Sequence, residues 1–156
     1  MPHLRIEAPV EWLQADFKAT TGFDIRKLLD HLVQVVAGLR MQNPSGGSPE
    51  LVPFINLSNL KHAIVPLHHA HVAGDPARRF LHITLSAGND TPGRTAEIRR
   101  RVAHTLGDEV DQFVANVPGL GLGSVTVHVK DIDRERGYST TAERRKKREQ
   151  EKMAQA

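Results

Sequence analysis

The residue of greatest chemical interest stands second in the chain, in Met1-Pro2-His3-Leu4-Arg5-Ile6-Glu7. Once Met1 is removed, as is usual before a small second residue, Pro2 begins the chain with a free secondary amine that can act as a base. An unperturbed α-amino group titrates at about 7.7–8.0, and a secondary amine higher still. A useful base therefore needs burial among apolar groups and neighbouring cations, both of which disfavour the protonated amine. The competing reading is an ordinary chain end that tolerates proline. On these residues alone the ordinary chain end is the favoured reading, and if Met1 stays, Pro2 is an amide and the base does not exist.

A second candidate lies in Gly93-Arg94-Thr95-Ala96-Glu97-Ile98-Arg99. An arginine just before a helix can pair bidentately with a carboxylate, and the helix N-terminus adds favourable potential for an anion. Spacing alone leaves this even with the reading of Arg94 as an exposed loop cation. The histidines His62, His68, His69, His71 and His82 raise a metal hypothesis. No carboxylate or cysteine sits at ligand spacing among them, and imidazoles need a shaped site and supporting partners. They are read as interface or surface histidines, and no metal site is expected. Gly119-Leu120-Gly121-Leu122-Gly123 follows a helix and opens a strand, the reverse of a dinucleotide fingerprint.

Those residues must be positioned by a chain of 156 residues, 39% hydrophobic and 25% charged, enough for one core of ordinary size. With no cysteine, disulfide scaffolds and thiolate metal sites are excluded. No apolar run reaches membrane-spanning length and no signal-peptide stretch opens the chain, so a cytoplasmic protein is expected. The net charge of +3 sits in the last segment: six Lys or Arg stand against three Glu from residue 140 onward, leaving the rest neutral. The organisation expected is one domain over residues 1–138 and a basic helix or tail over 139–156.

Leu4 and Ile6 alternate with His3, Arg5 and Glu7, the period of a strand with one apolar face, and Pro2 at its first position is compatible with a strand. Val10 to Thr21 is expected to form a short helical turn around Trp12, Leu13 and Phe17. Ile25, Leu28, Leu29, Leu32, Val33, Val36 and Leu39 recur at helical spacing behind Asp24 as N-cap, predicting a helix to about Met41. Asn43 to Pro49 reads as a loop. A strand is predicted from about Leu57 to Leu67, continuing towards Val72, then a turn at Gly74-Asp75-Pro76 and a strand from Arg79 to Ala87. A second helix is predicted over Thr95 to Val117, stopped by Pro118, and a last strand over Ser124 to Val129. This strand, helix, strand order occurs twice and predicts two β-α-β units sharing one sheet. Thr140 and Glu143 suit a capping box for a terminal helix over about Thr141 to Met153.

Met-Pro-His-Leu-Arg-Ile-Glu, Phe80-Leu81-His82-Ile83-Thr84-Leu85 and Gly93-Arg94-Thr95-Ala96-Glu97-Ile98-Arg99 together resemble the 5-carboxymethyl-2-hydroxymuconate isomerase family of the tautomerase superfamily. Lys130-Asp131-Ile132-Asp133 fits as well, and the likeness spans most of residues 2 to 138, apart from a longer region around residues 8 to 23. The resemblance implies an α/β (α+β) fold: a four-stranded sheet of two β-α-β units with two helices on one face, assembling as a homotrimer. It implies an isomerase of aromatic-compound catabolism that uses no cofactor and acts on an unsaturated 2-hydroxy or 2-keto acid. Pro2 would be the general base and Arg94 the anchor of a substrate carboxylate.

Relatives carry arginine in the second strand, whereas this chain has Asn59, Lys61 and His62. Lys61 and His62 become the substrate-binding candidates there, although lysine cannot reproduce bidentate pairing. Hydrolytic and dehalogenating members carry a water-activating carboxylate near the end of the last strand, where Asp131 falls. A third reading is a binding module of the same fold whose basic tail meets nucleic acid or an acidic partner.

Overall fold

The first strand, β1 (His3–Pro9), buries Leu4, Ile6 and Ala8 and leaves His3, Arg5 and Glu7 more open. In the computed structural model, which describes residues 2–43, 50–68, 71–72, 75–87, 94–115, 117–120 and 122–132, this strand is interior to the main sheet. It pairs in parallel with β4 (Lys61–Leu67) on one side and antiparallel with β6 (Asp75–Ala87) on the other. β6 in turn pairs in parallel with β7 (Leu122–Asp131). The main sheet thus runs β4-β1-β6-β7, and the two-residue strand β5 (His71–Val72) pairs with the start of β6.

The register lines residues up in rows across four strands. Ile64, Ile6, Ile83 and Val127 form one row, and His62, Leu4, Leu85 and Val129 the next. Both lie on the face covered by helices. The alternate rows, Lys61-His3-Ser86-Lys130, Ala63-Arg5-Thr84-His128 and Val65-Glu7-His82-Thr126, lie on the other face. Within the described chain no helix packs there, and those rows are polar wherever β1 and β6 contribute. Pro66 is tolerated inside β4 because β4 is an edge strand, bonded among the described residues only to β1.

Among the described residues three α-helices accompany the sheet. After a 3₁₀ turn at Val10–Leu13 comes α1 (Ala15–Thr21), closed by Gly22 at φ 72°, a left-handed conformation that glycine adopts without steric penalty. α2 (Ile25–Gly38) starts where the Asp24 carboxylate accepts from the Arg26 N–H at 3.0 Å, and it buries Ile25, Leu28, Leu29, Leu32 and Val36. α3 (Ala96–Val114) starts where the Thr95 hydroxyl accepts from the Ile98 N–H at 3.2 Å, and it buries Val102, Leu106 and Val110. His31 and Glu109, 2.7 Å apart, join α2 to α3. Trp12 packs edge-on to Phe23, and Phe23 to Phe113. The 8–23 segment is thereby anchored in the same core. The two units are β1-α2-β4 and β6-α3-β7, joined through the antiparallel β1·β6 pair.

Several boundaries differ from the sequence expectation. α2 stops at Gly38, because Arg40–Gln42 (β2) pairs with Leu51–Pro53 (β3) in a hairpin that buries Met41. Leu57–Asn59 is a 3₁₀ turn capped by the Asn56 side chain, and β4 begins only at Lys61. Asp75 and Pro76 belong to β6, because β5 pairs with its first residues across a register shift. α3 ends at Val114, short of Pro118, and β7 reaches from Leu122 to Asp131. The terminal helix expected over 141–153 lies outside the described residues.

Candidate active site

One end of the sheet gathers the start of β1, the start of β4, the ends of β6 and β7, and the N-terminus of α3. Pro2 is buried there, and its carbonyl accepts from the Lys61 N–H at 3.1 Å. His3 pairs with Ser86, so continuing the register by one residue sets Pro2 across from Ala87, whose parallel partner is Asp131. Two interstrand steps, about 10 Å, separate Pro2 from Asp131. Pro2 has the parity of Leu4, Ile6 and Ala8, so its ring belongs to the helix face.

Arg94 is the one charged residue among the described buried ones. Its side chain is 3% exposed. Nε donates to the Phe54 carbonyl at 2.9 Å, the guanidinium lies 5.3 Å from the centre of the Phe54 ring, and a terminal nitrogen stands 3.4 Å from Asp131 Oδ1. A buried guanidinium needs this much satisfaction, since an uncompensated charge is costly in a low-dielectric site. Arg99, one turn into α3, completes the cluster: its Nη1 donates to Asp131 Oδ2 at 2.5 Å and to the Arg94 carbonyl at 2.6 Å. Asp131 thus joins the end of β7 to the start of α3 through two arginines.

Lys61 and His62 both belong to the strand beside Pro2 but diverge. His62 shares the helix-face row with Leu4, and Lys61 the open-face row with His3. Both are exposed. The structure therefore brings Pro2, His62, Arg94 and Asp131 to one face of the sheet end and sets Lys61 on the other.

The open face holds a concavity of about 950 Å³ lined by residues including His3, Arg5, His82, Thr84, His128 and Lys130. On its floor Glu7 is paired with Arg5 at 2.7 Å and with His82 Nδ1 at 3.1 Å. His3 has its pKa held below the ordinary histidine value, first by burial, then by the N-terminal ammonium, then by Lys61. Burial and Lys61, the causes that do not depend on the terminal amine, thus disfavour added positive charge one residue from Pro2.

Among the described residues no three His, Asp or Glu side chains are grouped to hold a metal ion. His62 and His68 are exposed and His82 is engaged with Glu7. His69 and the side chain of His71 lie outside the described residues. No helix among the described residues is long and apolar enough to cross a membrane. Sequence reasoning missed Arg99 and Phe54. Arg99 had a signal, since it lies one helical turn beyond the Thr95 cap. Phe54 had none, because its contact with Arg94 spans forty residues.

No protein-family model matches the sequence, and no curated protein matches it. Solved structures do match. A 5-carboxymethyl-2-hydroxymuconate isomerase from Deinococcus radiodurans R1 is 18% identical, with 89% of this chain and 88% of that chain covered and a TM-score of 0.58. A 5-carboxymethyl-2-hydroxymuconate delta-isomerase is 17% identical, with 90% and 87% covered and a TM-score of 0.58. A third protein, solved after inactivation by 2-oxo-3-pentynoate, is 18% identical, with 89% and 93% covered and a TM-score of 0.50. At these identities the likeness is one of architecture, and it runs through both β-α-β units. The chain has the α+β fold of the solved 5-carboxymethyl-2-hydroxymuconate isomerases.

Proposed function

We propose that the protein is a tautomerase or isomerase that moves a proton on an unsaturated 2-hydroxy or 2-keto acid, with the Pro2 amine as general base after removal of Met1. The observation that carries this reading is the placement of Pro2. It is buried at the start of an interior strand, at the same end of the sheet as the buried guanidinium of Arg94. Burial and the neighbouring cation Lys61 both disfavour the protonated amine, which suits a base working near neutral pH.

In this mechanism Pro2 nitrogen takes the proton of a dienol and returns it to carbon. The double bond shifts and the ketone forms. Arg94 anchors the substrate carboxylate and favours the negative charge that develops on the enolate. From β4, His62 stands on the same face as Pro2, whereas Lys61, on the opposite face, contributes a point charge towards a second anionic group. Three copies covering one another's open sheet faces would form the proposed homotrimer, which light scattering on the purified protein tests directly.

The test of function follows the ultraviolet ketonisation of phenylenolpyruvate by protein shown by mass to lack Met1, with Pro2→Ala alongside. The expected outcome is a measurable rate that falls by about 10²–10⁴-fold in the variant, the span of a general base. Incubation with 2-oxo-3-pentynoate, an electrophilic alkynone, should add one equivalent of reagent to the N-terminal peptide of the wild type only. No rate and no adduct from the processed protein would overturn the proposal.

A further inference from the structure

The exposures within the cluster run in a definite order. The Arg94 side chain is 3% exposed, whereas Arg99 is 31% and Asp131 34% exposed. The Asp131 carboxylate is therefore the more open partner of a buried guanidinium, and a substrate carboxylate cannot reach Arg94 with the cluster closed as it stands.

The two halves of the cluster are unequal. The Arg99 to Asp131 contact of 2.5 Å is short, whereas the Arg94 to Asp131 contact of 3.4 Å exceeds the usual 2.7–2.9 Å of a charge-assisted hydrogen bond. Asp131 is held mainly by Arg99 and only loosely by Arg94. Its backbone is fixed, since the next residue, Ile132, donates its N–H to the Ala87 carbonyl at 2.8 Å, so only the side chain has to swing.

We propose that Asp131 is a displaceable internal anion. It occupies the carboxylate subsite formed by Arg94 and Arg99, and a substrate carboxylate enters by rotating it away from Arg94, leaving it on Arg99. The inference rests on the reading of Arg94 as the carboxylate anchor. It makes Asp131 a specificity-determining residue that raises the threshold for weak anions, and it makes Arg99 the positioning residue that keeps Asp131 within reach.

The experiment measures binding of 3-phenylpropanoate, which cannot enolise as the substrate does, to the full chain by calorimetry and by the ¹⁵N-detected shift of the Arg94 Nε–H. Asp131→Asn keeps the shape and removes the charge, and is expected to lower Kd by about tenfold, the scale of one lost charged competitor. The Arg94 Nε–H should shift on binding in both proteins. Asp131→Ser, tested for an unchanged melting curve, guards against a folding effect and should also tighten binding. A Kd that is unchanged or raised in both folded variants would overturn the inference and leave Asp131 as a tie between β7 and α3. Binding needs no turnover, so this failure is distinct from that of the Pro2 reading. Tightened binding without ketonisation keeps the subsite and loses the isomerase, and ketonisation with unchanged Kd does the reverse.

Discussion

The backbone N–H of Lys61 donates to the carbonyl of Pro2 at 3.1 Å, which ties the residue before β1 to the first residue of β4. The bond belongs to the backbone, so Pro2 stays in place whatever side chain stands at position 61. Position 61 can therefore be used to alter charge near Pro2 while leaving geometry alone.

Lys61→Gln should raise the pKa of His3 towards 6.5, the value from which burial, the N-terminal ammonium and Lys61 together lower it. Proton NMR of the His3 ring reads this directly. For the proposed base the sign is the same: loss of the cation favours the protonated amine, so the acid limb of the ketonisation rate moves to higher pH. Because the folded value of His3 lies below the unfolded one, the unfolded state binds its proton first. Stability should therefore decline as pH falls below about 6.5, and less steeply in His3→Gln. A His3 pKa that stays put in Lys61→Gln would show that Lys61 does not act on it.

Asp24→Ala removes both the cap on the Arg26 N–H and the 2.6 Å pair with Lys18. A loss of about 1 kcal/mol is expected from the cap, read as a lower urea midpoint. The Asp24 pKa lies below its ordinary 3.8, chiefly through the Lys18 hydrogen bond. The stability it contributes is thus present above that value and lost as pH falls through the folded one. The variant and wild type should converge at the acid end.

Leu106→Ala opens a cavity under the sheet, since Leu106 is fully buried on α3. A loss of about 2–5 kcal/mol is expected, measured by urea unfolding. A loss below 1 kcal/mol would mean that α3 is not packed on β6 and β7 as described.

The sheet was legible wherever apolar residues alternate or recur at helical spacing. Leu4 and Ile6, Leu81 to Leu85, and Ile25 to Val36 each carry their periodicity locally, and the doubled strand, helix, strand order gave the pairing of units. The hairpin of Arg40–Gln42 with Leu51–Pro53 was not legible, because each strand has three residues, too few for a period. Leu39 and Met41 continue the helical spacing of α2, so the pattern pointed to a longer helix than the backbone forms. The candidate site was visible in Pro2 and Arg94 by residue type. The burial of Arg94 was not, since it depends on Phe54 and Asp131, neither of which is near it in sequence. The separation of Lys61 and His62 onto opposite faces does follow from strand parity.

The register also has a symmetry. Exchanging Ile6 with Ile83 and Ile64 with Val127 maps one β-α-β unit onto the other. Under that exchange the counterpart of Pro2 is Arg79, at the opposite end of the sheet and inside the continuous strand β6. Its nitrogen is a peptide nitrogen whatever processing the chain undergoes. A pseudo-twofold scaffold of this kind has two equivalent ends by shape but only one that can ever present an amine. Any chemistry that depends on Pro2 is therefore monovalent per chain, and adding sites requires adding chains.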